Sequence, residues 1–146
     1  PAAGTMRWAE VSPDTTHDWF PDNVADGGDT FVEIQAITVT LNLGGWTVKV
    51  LNGSSVELAS LELGSEAITN ANGYYVIFGH DLGITIPGTG TVQFLNPAGT
   101  AIVSRSWSSV TGSSQWNGST YSTAYLSTPG QAYNFWSSHP TPTAIP

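Results

Sequence analysis

Short runs in which apolar and polar residues alternate recur along the chain. Because successive side chains of a strand point to opposite faces, a period of two predicts β-strands. Gly, Ser, Thr and Asn are abundant between these runs, which is typical of turns joining short strands. Strands are predicted over residues 7–11, 31–36, both sides of the turn within 48–56, 74–78, 91–95, 101–107 and 121–126. The pattern predicts an all-β protein with little helix.

The stretch around Trp46 carries the clearest core signal. Gly44 and Gly45 favour a sharp bend, and Trp46, Val48 and Val50 then share one face of a strand. In residues 31–36 one face is apolar and the other carries Phe31, Glu33 and Gln35, so this strand is predicted to be half-buried. The residues assigned to the core are Trp46, Val48, Val32, Ile34 and Val76.

Turn residues separate the predicted strands. Asn52 and Gly53 predict a hairpin with a type I′ turn, in which both residues adopt positive φ. Residues 96–99 predict a second hairpin. The apolar phase changes parity after residue 36, which predicts a turn near 36–38.

Two further segments differ from this alternation. The continuous apolar run of residues 74–78 is typical of a central strand that is covered on both sides. Beyond Val110 the chain is rich in Ser, Gly, Asn and Thr, which predicts a loop with one edge strand at 121–126.

The length of 146 residues suits one domain with its own core. Residues 1–6 form a predicted lead-in, 7–136 the domain, and 137–146 a linker rich in Pro and Thr. Cysteine is absent, so neither disulfides nor thiolate chemistry is available, and the compartment cannot be inferred from redox chemistry.

Charge narrows the classes of partner. The formal net charge is −8, and seven of the eleven acidic residues precede residue 34. An acidic chain repels phosphate backbones, so nucleic acid is not an expected partner. No apolar run approaches the roughly 20 residues that cross a bilayer, so membrane insertion is not expected.

The acidic segment is a candidate calcium site. Pro21, Gly27 and Gly28 disfavour a helix here and favour a long loop. Carboxylates and carbonyls in such a loop can surround calcium, which takes six to eight oxygen ligands, although the spacing is not that of an EF-hand. A solvated acidic loop is the alternative explanation. The candidate ligands are Asp14, Asp18, Asp22, Asp26 and Asp29.

Six tryptophans are many for this length. Trp46, with Trp8 and Trp107, occupies strand positions where large aromatic side chains are usually buried. Trp19, Trp116 and Trp136 lie in segments with loop composition and are the candidate contact surface, for protein or for glycan.

Catalytic signatures are weak. The three histidines lie far apart, which disfavours a zinc site, and no Gly-x-Ser-x-Gly segment presents a nucleophile. The sequence therefore predicts a protein that is not an enzyme, with calcium as the one candidate cofactor.

The ordered blocks of the chain resemble the lamin tail domain, an immunoglobulin-like family. The resemblance rests on residues 8–11, 31–34, 73–77, 91–96 and 128–130, and above all on 41–46, where Leu41-Asn42-Leu43 leads into Gly44-Gly45-Trp46. It implies an immunoglobulin-like antiparallel β-sandwich of about seven to nine strands, with no catalytic residue set.

This resemblance implies a functional expectation as well. Lamin-tail modules of the bacterial secreted or surface-attached type are accessory domains, so the expected role is tethering or targeting a larger exported protein through contacts with other protein domains. A carbohydrate-binding module that uses loop tryptophans is the alternative, and a calcium-stabilised adhesion domain is the third hypothesis.

Overall fold

The alternating segments form nine strands in the part of the chain that the structure describes. This structure is a computed structural model, and it describes residues 6–20, 22–36, 40–116 and 119–124. The strands make two antiparallel sheets, and the one α-helix in these residues is a single turn, α1 (Gly79–Leu82). The predicted all-β sandwich of seven to nine strands is confirmed.

The first sheet has five strands in the order β5-β2-β1-β8-β9. Its central pair, β1 and β2, is antiparallel and contains a bulge between Trp8 and Glu10, where one extra residue is accommodated. Its strands are β1 (Met6–Ser12), β2 (Phe31–Ala36), β5 (Tyr74–Phe78), β8 (Ser113–Trp116) and β9 (Tyr121–Ala124).

The second sheet has four strands in the order β4-β3-β6-β7, and two hairpins, β3–β4 and β6–β7, supply them. β3 pairs with β6 in the middle of the sheet. Its strands are β3 (Thr47–Asn52), β4 (Glu57–Glu62), β6 (Gly90–Leu95) and β7 (Ala101–Trp107).

The main core lies between the two sheets. Trp46 is 5% exposed, directly before β3, and its ring stacks on Phe94 of β6 with a centroid distance of 4.7 Å. Val48, Val32 and Ile34 belong to the same buried cluster, as predicted. Full burial of each such aliphatic side chain stabilises the fold by about 1.5–3 kcal/mol.

A second apolar cluster lies on the other face of the five-stranded sheet. It contains Trp19, Phe31, Val76 and Phe78, so Val76 is buried as predicted but outside the main core. The prediction of a half-buried β2 is wrong, because Phe31 and Glu33 on its second face are also buried. Phe31 is buried because the loop before β2 packs Trp19 onto this face of the sheet.

β5 is covered on both faces, as predicted, but it is not central. All five of its residues are buried, yet it pairs with β2 alone within the described sheet. The continuous apolar run of residues 74–78 therefore indicates that both faces of β5 are buried, but it does not indicate where β5 lies in the sheet.

β8 was predicted as loop and is instead an inner strand between β1 and β9. The buried side chains of residues 113–115 are polar, so they give no apolar alternation. Ser113 and Gln115 are buried and linked by a hydrogen bond of 3.0 Å, and the Arg105 guanidinium donates to the Ser114 carbonyl. Polar partners replace apolar packing here.

Asparagine organises the hairpin turns. In β3–β4 the side-chain oxygen of Asn52 accepts hydrogen bonds from the backbone N–H groups of Ser54 and Val56. Positive φ falls on Ser55 (64°) and not on Asn52 or Gly53, so the predicted type I′ turn is wrong. A type I turn followed by one left-handed residue is the usual alternative for a three-residue loop.

Several predictions concern the ends of the chain. Met6, placed in the lead-in, is the first residue of β1. The parity change after residue 36 and the Pro/Thr-rich linker at 137–146 lie outside the described residues, apart from Ala36, which ends β2. No helix in the described part of the chain is long and apolar enough to span a membrane.

Candidate functional site

The acidic loop before β2 is anchored by Trp19. This side chain is 0% exposed and packs with Phe31 and Phe78 of the five-stranded sheet. It cannot serve as a contact surface, so the prediction for Trp19 is wrong. The sequence around it has the composition of a loop, and loop composition does not reveal that one side chain of the loop is an anchor.

Asp14 and Asp26, two of the five candidate calcium ligands, accept hydrogen bonds in local turns and lie outside the group of three that converges. Asp14 accepts hydrogen bonds from the Thr16 N–H (2.9 Å) and hydroxyl (2.6 Å), and its second oxygen lies 2.8 Å from His17 Nδ1. Burial would raise the pKa of Asp14, but the contacts with Thr16 and His17 outweigh it and lower the pKa below 3.8. Asp26 caps a 3-10 turn, Gly27–Asp29, by accepting from the Gly28 N–H.

The remaining three candidate ligands converge. Carboxylate oxygens of Asp18, Asp22 and Asp29 all lie within 4.8 Å of one another. We call these three residues the aspartate cluster. The aspartates recur at nearly every fourth residue, and the fold of the loop, which is not a helix, brings these three together. The sequence predicted a group of acids here, and the structure selects three of the five.

The aspartate cluster is electrostatically unfavourable as it stands. Asp29 is fully buried, and its carboxylate accepts hydrogen bonds from the Phe20 and Asp26 N–H groups at 2.8 Å. Burial is the main reason that the pKa of Asp29 is raised, and the charges of Asp18 and Asp22 raise it further. One oxygen of Asp18 is enclosed and has no hydrogen-bond donor among the described residues.

A cleft of about 390 Å³ lies beside this cluster, between the acidic loop and the turn that follows β5. It is lined by Asp22, Asp26, Gly27, Gly28, Gly79, His80, Gly83, Ile84 and Thr85. Its volume falls in the range of about 300–1,000 Å³ that is usual for small-ligand pockets. We call this feature the acidic cleft.

Gly79 holds the two walls of the acidic cleft together. Its N–H donates to the Thr30 carbonyl at 2.7 Å, and a Cβ at this position would lie within 2.7 Å of oxygens of Thr30, Ile84 and Gly27. Only glycine permits such a close backbone approach. The ring of His80, which lines the cleft, stacks on the ring of Phe20 with centroids 4.0 Å apart.

The ionisable groups around the cleft are acidic, apart from histidine. Asp22 and Asp26 line it, Asp18 and Asp29 complete the cluster behind it, and neither Lys nor Arg occurs between residues 8 and 48. The lysine of the chain, Lys49, pairs with Glu57 on the second sheet at 3.4 Å. The cleft therefore presents uncompensated negative charge.

Trp116 occupies a different environment from Trp19. It is half-buried at the end of β8, beneath the guanidinium of Arg7 (5.0 Å from the ring centroid) and beside the ring of Tyr121 (5.3 Å). Trp136 lies outside the described residues. Of the three predicted contact tryptophans, Trp116 alone is placed by the structure in a partly open position.

Two buried glutamates were not singled out from the sequence. Glu10 of β1 and Glu33 of β2 are register partners, 0% and 1% exposed, on the face of the sheet away from the main core. The Ser113 hydroxyl donates to Glu10 at 2.6 Å. Burial first, then the charge of Glu33, raises the pKa of Tyr74 nearby. The sequence signal that could have identified this pair is an acidic residue inside each of two predicted strands.

The contacts of His17 with Thr16 and Asp14 are not arranged as a catalytic relay. Both Thr16 Oγ1 (3.1 Å) and Asp14 Oδ2 (2.8 Å) approach the same nitrogen, Nδ1 of His17. A nucleophile–base–acid triad uses the two ring nitrogens on opposite sides. This arrangement is that of a local turn closed by hydrogen bonds.

Comparison with known proteins adds no family at this point. Neither the protein-family models nor the curated protein sequences with which the chain was compared give a match. The lamin tail assignment therefore stays a prediction from the residues quoted above.

Proposed function

We propose that this chain is a non-catalytic accessory module of a larger exported or surface protein, and that it holds that protein in place by contacts with other protein domains. The observation that carries the proposal is the acidic cleft. Its partner would be a segment of the same or a neighbouring chain that presents lysine or arginine side chains.

Charge complementarity supports this partner. Acidic side chains border the cleft, while Arg7, Lys49 and Arg105 are held elsewhere by Trp116, Glu57 and Tyr121. Complementary charge steers association and determines which partners are accepted. The close backbone packing around Gly79 shapes the cleft before a partner binds, which reduces the entropy lost on binding.

The resemblance to the lamin tail domain supports the same role by analogy. That family supplies accessory modules at the ends of larger proteins, and the resemblance brings no catalytic residue set with it. A bacterial extracellular or cell-surface location is part of this proposal, since it follows from the same analogy.

Fluorescence anisotropy with a labelled peptide of alternating Lys and Gly tests the proposal. We expect binding at about 0.15 M salt that weakens at about 1 M, because exposed charges are screened. The variant Asp22→Asn/Asp26→Asn should weaken binding about fivefold, since two exposed ion pairs contribute about 0.5 kcal/mol each. Asparagine retains the capping function of Asp26.

The matched control is Glu62→Gln/Glu66→Gln, which removes the same charge from two exposed positions outside the cleft. This control should bind as the wild type does. Equal losses in the two variants would mean that the peptide responds to net charge alone, and the cleft would not be the contact site. A peptide with Glu in place of Lys should not bind.

A calcium-stabilised domain is the second candidate, and a specific observation favours it. Asp18, Asp22 and Asp29 place oxygens within 4.8 Å of one another, and one enclosed oxygen of Asp18 has no donor among the described residues. A bound divalent cation would relieve this repulsion and satisfy that oxygen. Asp14 and Asp26 are not part of this reduced ligand set.

A further inference from the structure

Two of the three cationic side chains of the protein converge on one aromatic pair. Arg7 lies over Trp116 at 5.0 Å, and Arg105 lies over Tyr121 at 3.5 Å from the ring centroid. Trp116 and Tyr121 are register partners on β8 and β9, and their rings meet edge to face at 5.3 Å. We call these four residues the arginine–aromatic platform.

The platform lies at the opposite end of the five-stranded sheet from the acidic cleft. Arg7, near the start of β1, pairs with Gln35 near the end of β2, whereas the cleft is lined by Gly27 and Gly28, shortly before β2 begins. The two features are thus separate in space and opposite in charge.

Arg105 is the fixed part of the platform. It is 6% exposed, and its terminal nitrogens donate to the carbonyl and the hydroxyl of Ser114. Burial lowers its pKa to about 10, so it remains charged at neutral pH. Its Nε–H group has no acceptor among the described residues, nor does the Nε1–H group of Trp116.

Arg7 and Tyr121 are the accessible part. Tyr121 is 38% exposed, and Arg7 is half-buried with its Nε donating to the Gln35 side chain at 3.0 Å. Within the described residues the two terminal nitrogens of Arg7 have no hydrogen-bond partner. The negative charge of Glu10 raises the pKa of Arg105. Glu10 itself is fully buried and accepts a hydrogen bond from the Ser113 hydroxyl. The open side of the platform therefore offers hydrogen-bond donors, positive charge and an aromatic ring.

We propose that the arginine–aromatic platform binds a carboxylate-bearing sugar of an acidic polysaccharide. The guanidinium of Arg7 matches a carboxylate, since its terminal donors can bond both oxygens. The exposed ring of Tyr121 provides an apolar face for the C–H groups of a sugar ring. A protein of net charge −8 repels anions elsewhere, so a local cationic site gives the contact its specificity.

Isothermal titration calorimetry with an oligogalacturonate, against a neutral galactose oligomer of the same length, tests this proposal. We expect the acidic oligomer to bind at least about tenfold more tightly than the neutral one, because a carboxylate pair with arginine is a charge-assisted hydrogen bond. Arg7→Gln should remove about tenfold of that affinity, and Tyr121→Ala should weaken both oligomers.

Lys49→Gln is the matched control, because it removes one positive charge from the other sheet. It should bind the acidic oligomer as the wild type does. Absence of binding at millimolar oligomer, equal affinity for the two oligomers, or an equal loss in the Arg7→Gln and Lys49→Gln proteins would each overturn the proposal. Circular dichroism of each variant verifies the fold, and Arg7→Lys, which keeps the charge, should recover part of the affinity.

Discussion

Ser55 occupies the same place in the β3–β4 turn that Gly99 occupies in the β6–β7 turn. Each residue follows an asparagine by three positions, donates its N–H to that asparagine's carbonyl, and has positive φ, 64° and 87° respectively. The side-chain oxygens of Asn52 and Asn96 accept equivalent pairs of backbone N–H groups. Both hairpins of the second sheet therefore share one turn design, with serine in one copy and glycine in the other, and Asn70 and Gly73 repeat the design before β5.

We expect Ser55→Gly to stabilise the protein by about 0.5–1 kcal/mol. A left-handed conformation costs an L-residue roughly 1–2 kcal/mol, and the greater freedom of glycine in the unfolded chain offsets part of the gain. Urea unfolding monitored by tryptophan fluorescence measures the difference. Ser54→Gly, one residue earlier and outside the left-handed region, should lower stability, and a gain there would contradict the argument from φ.

Trp46 determines much of the stability of the main core. Its stacked contact with Phe94 joins the start of β3 to β6. Trp46→Ala should lower the free energy of unfolding by about 3–5 kcal/mol, which is the usual effect of removing a large buried aromatic side chain. Val56→Ala, at a position 56% exposed, should change it by less than about 0.5 kcal/mol in the same urea titration.

Asp14 should make the free energy of unfolding depend on pH in the acidic range. Its pKa in the folded protein is lower than its ordinary value of 3.8, so ionised Asp14 stabilises the fold above that value. This contribution is lost as the pH falls through the pKa of the folded state. The gap in unfolding free energy between wild type and Asp14→Asn should be open near pH 6 and close toward about pH 2.

Thr16→Val provides the second variant for this test, because the Thr16 hydroxyl donates to Asp14. It should remove part of the same pH dependence. If the gap between wild type and Asp14→Asn stays constant across the pH range, the hydrogen bonds to Asp14 do not stabilise its charged form.

Calcium should raise the melting temperature if the aspartate cluster binds it. A ligand present at ten times its Kd stabilises the folded state by about 1.4 kcal/mol. Asp18→Asn should abolish the shift, because Asp18 contributes the enclosed oxygen. Asp81→Asn, at an exposed acid outside the cluster, should retain it. Absence of both heat and a thermal shift at millimolar calcium would remove this hypothesis.

Alternation predicted the strands whose inward side chains are apolar, as in β2, β3 and β6. It missed β8, where Ser113 donates to Glu10 of β1 and Ser114 accepts from Arg105 of β7, and all three residues 113–115 are buried. Such partners come from other strands, and the local pattern contains no record of them. For the same reason, the burial of β5 was predictable while its place at the edge of the described sheet was not.

The candidate sites were predictable only in part. Regular aspartate spacing pointed to the acidic loop, but selecting Asp18, Asp22 and Asp29 required the path of the backbone. Trp19 and Trp116 lie in segments of similar composition, yet one anchors a loop and the other is half-buried beneath Arg7. The cleft depends on the contact of Gly79 with a loop about fifty residues earlier in the chain, which no local pattern contains.

The facing glutamates of β1 and β2 have a consequence for how the protein folds. Sliding one strand past the other by a single residue would turn Glu10 or Glu33 into the hydrocarbon layer between the sheets. An ionised carboxylate there, without a counterion, is strongly unfavourable. These two acids therefore penalise misaligned chains and favour one pairing of the central strands over its competitors.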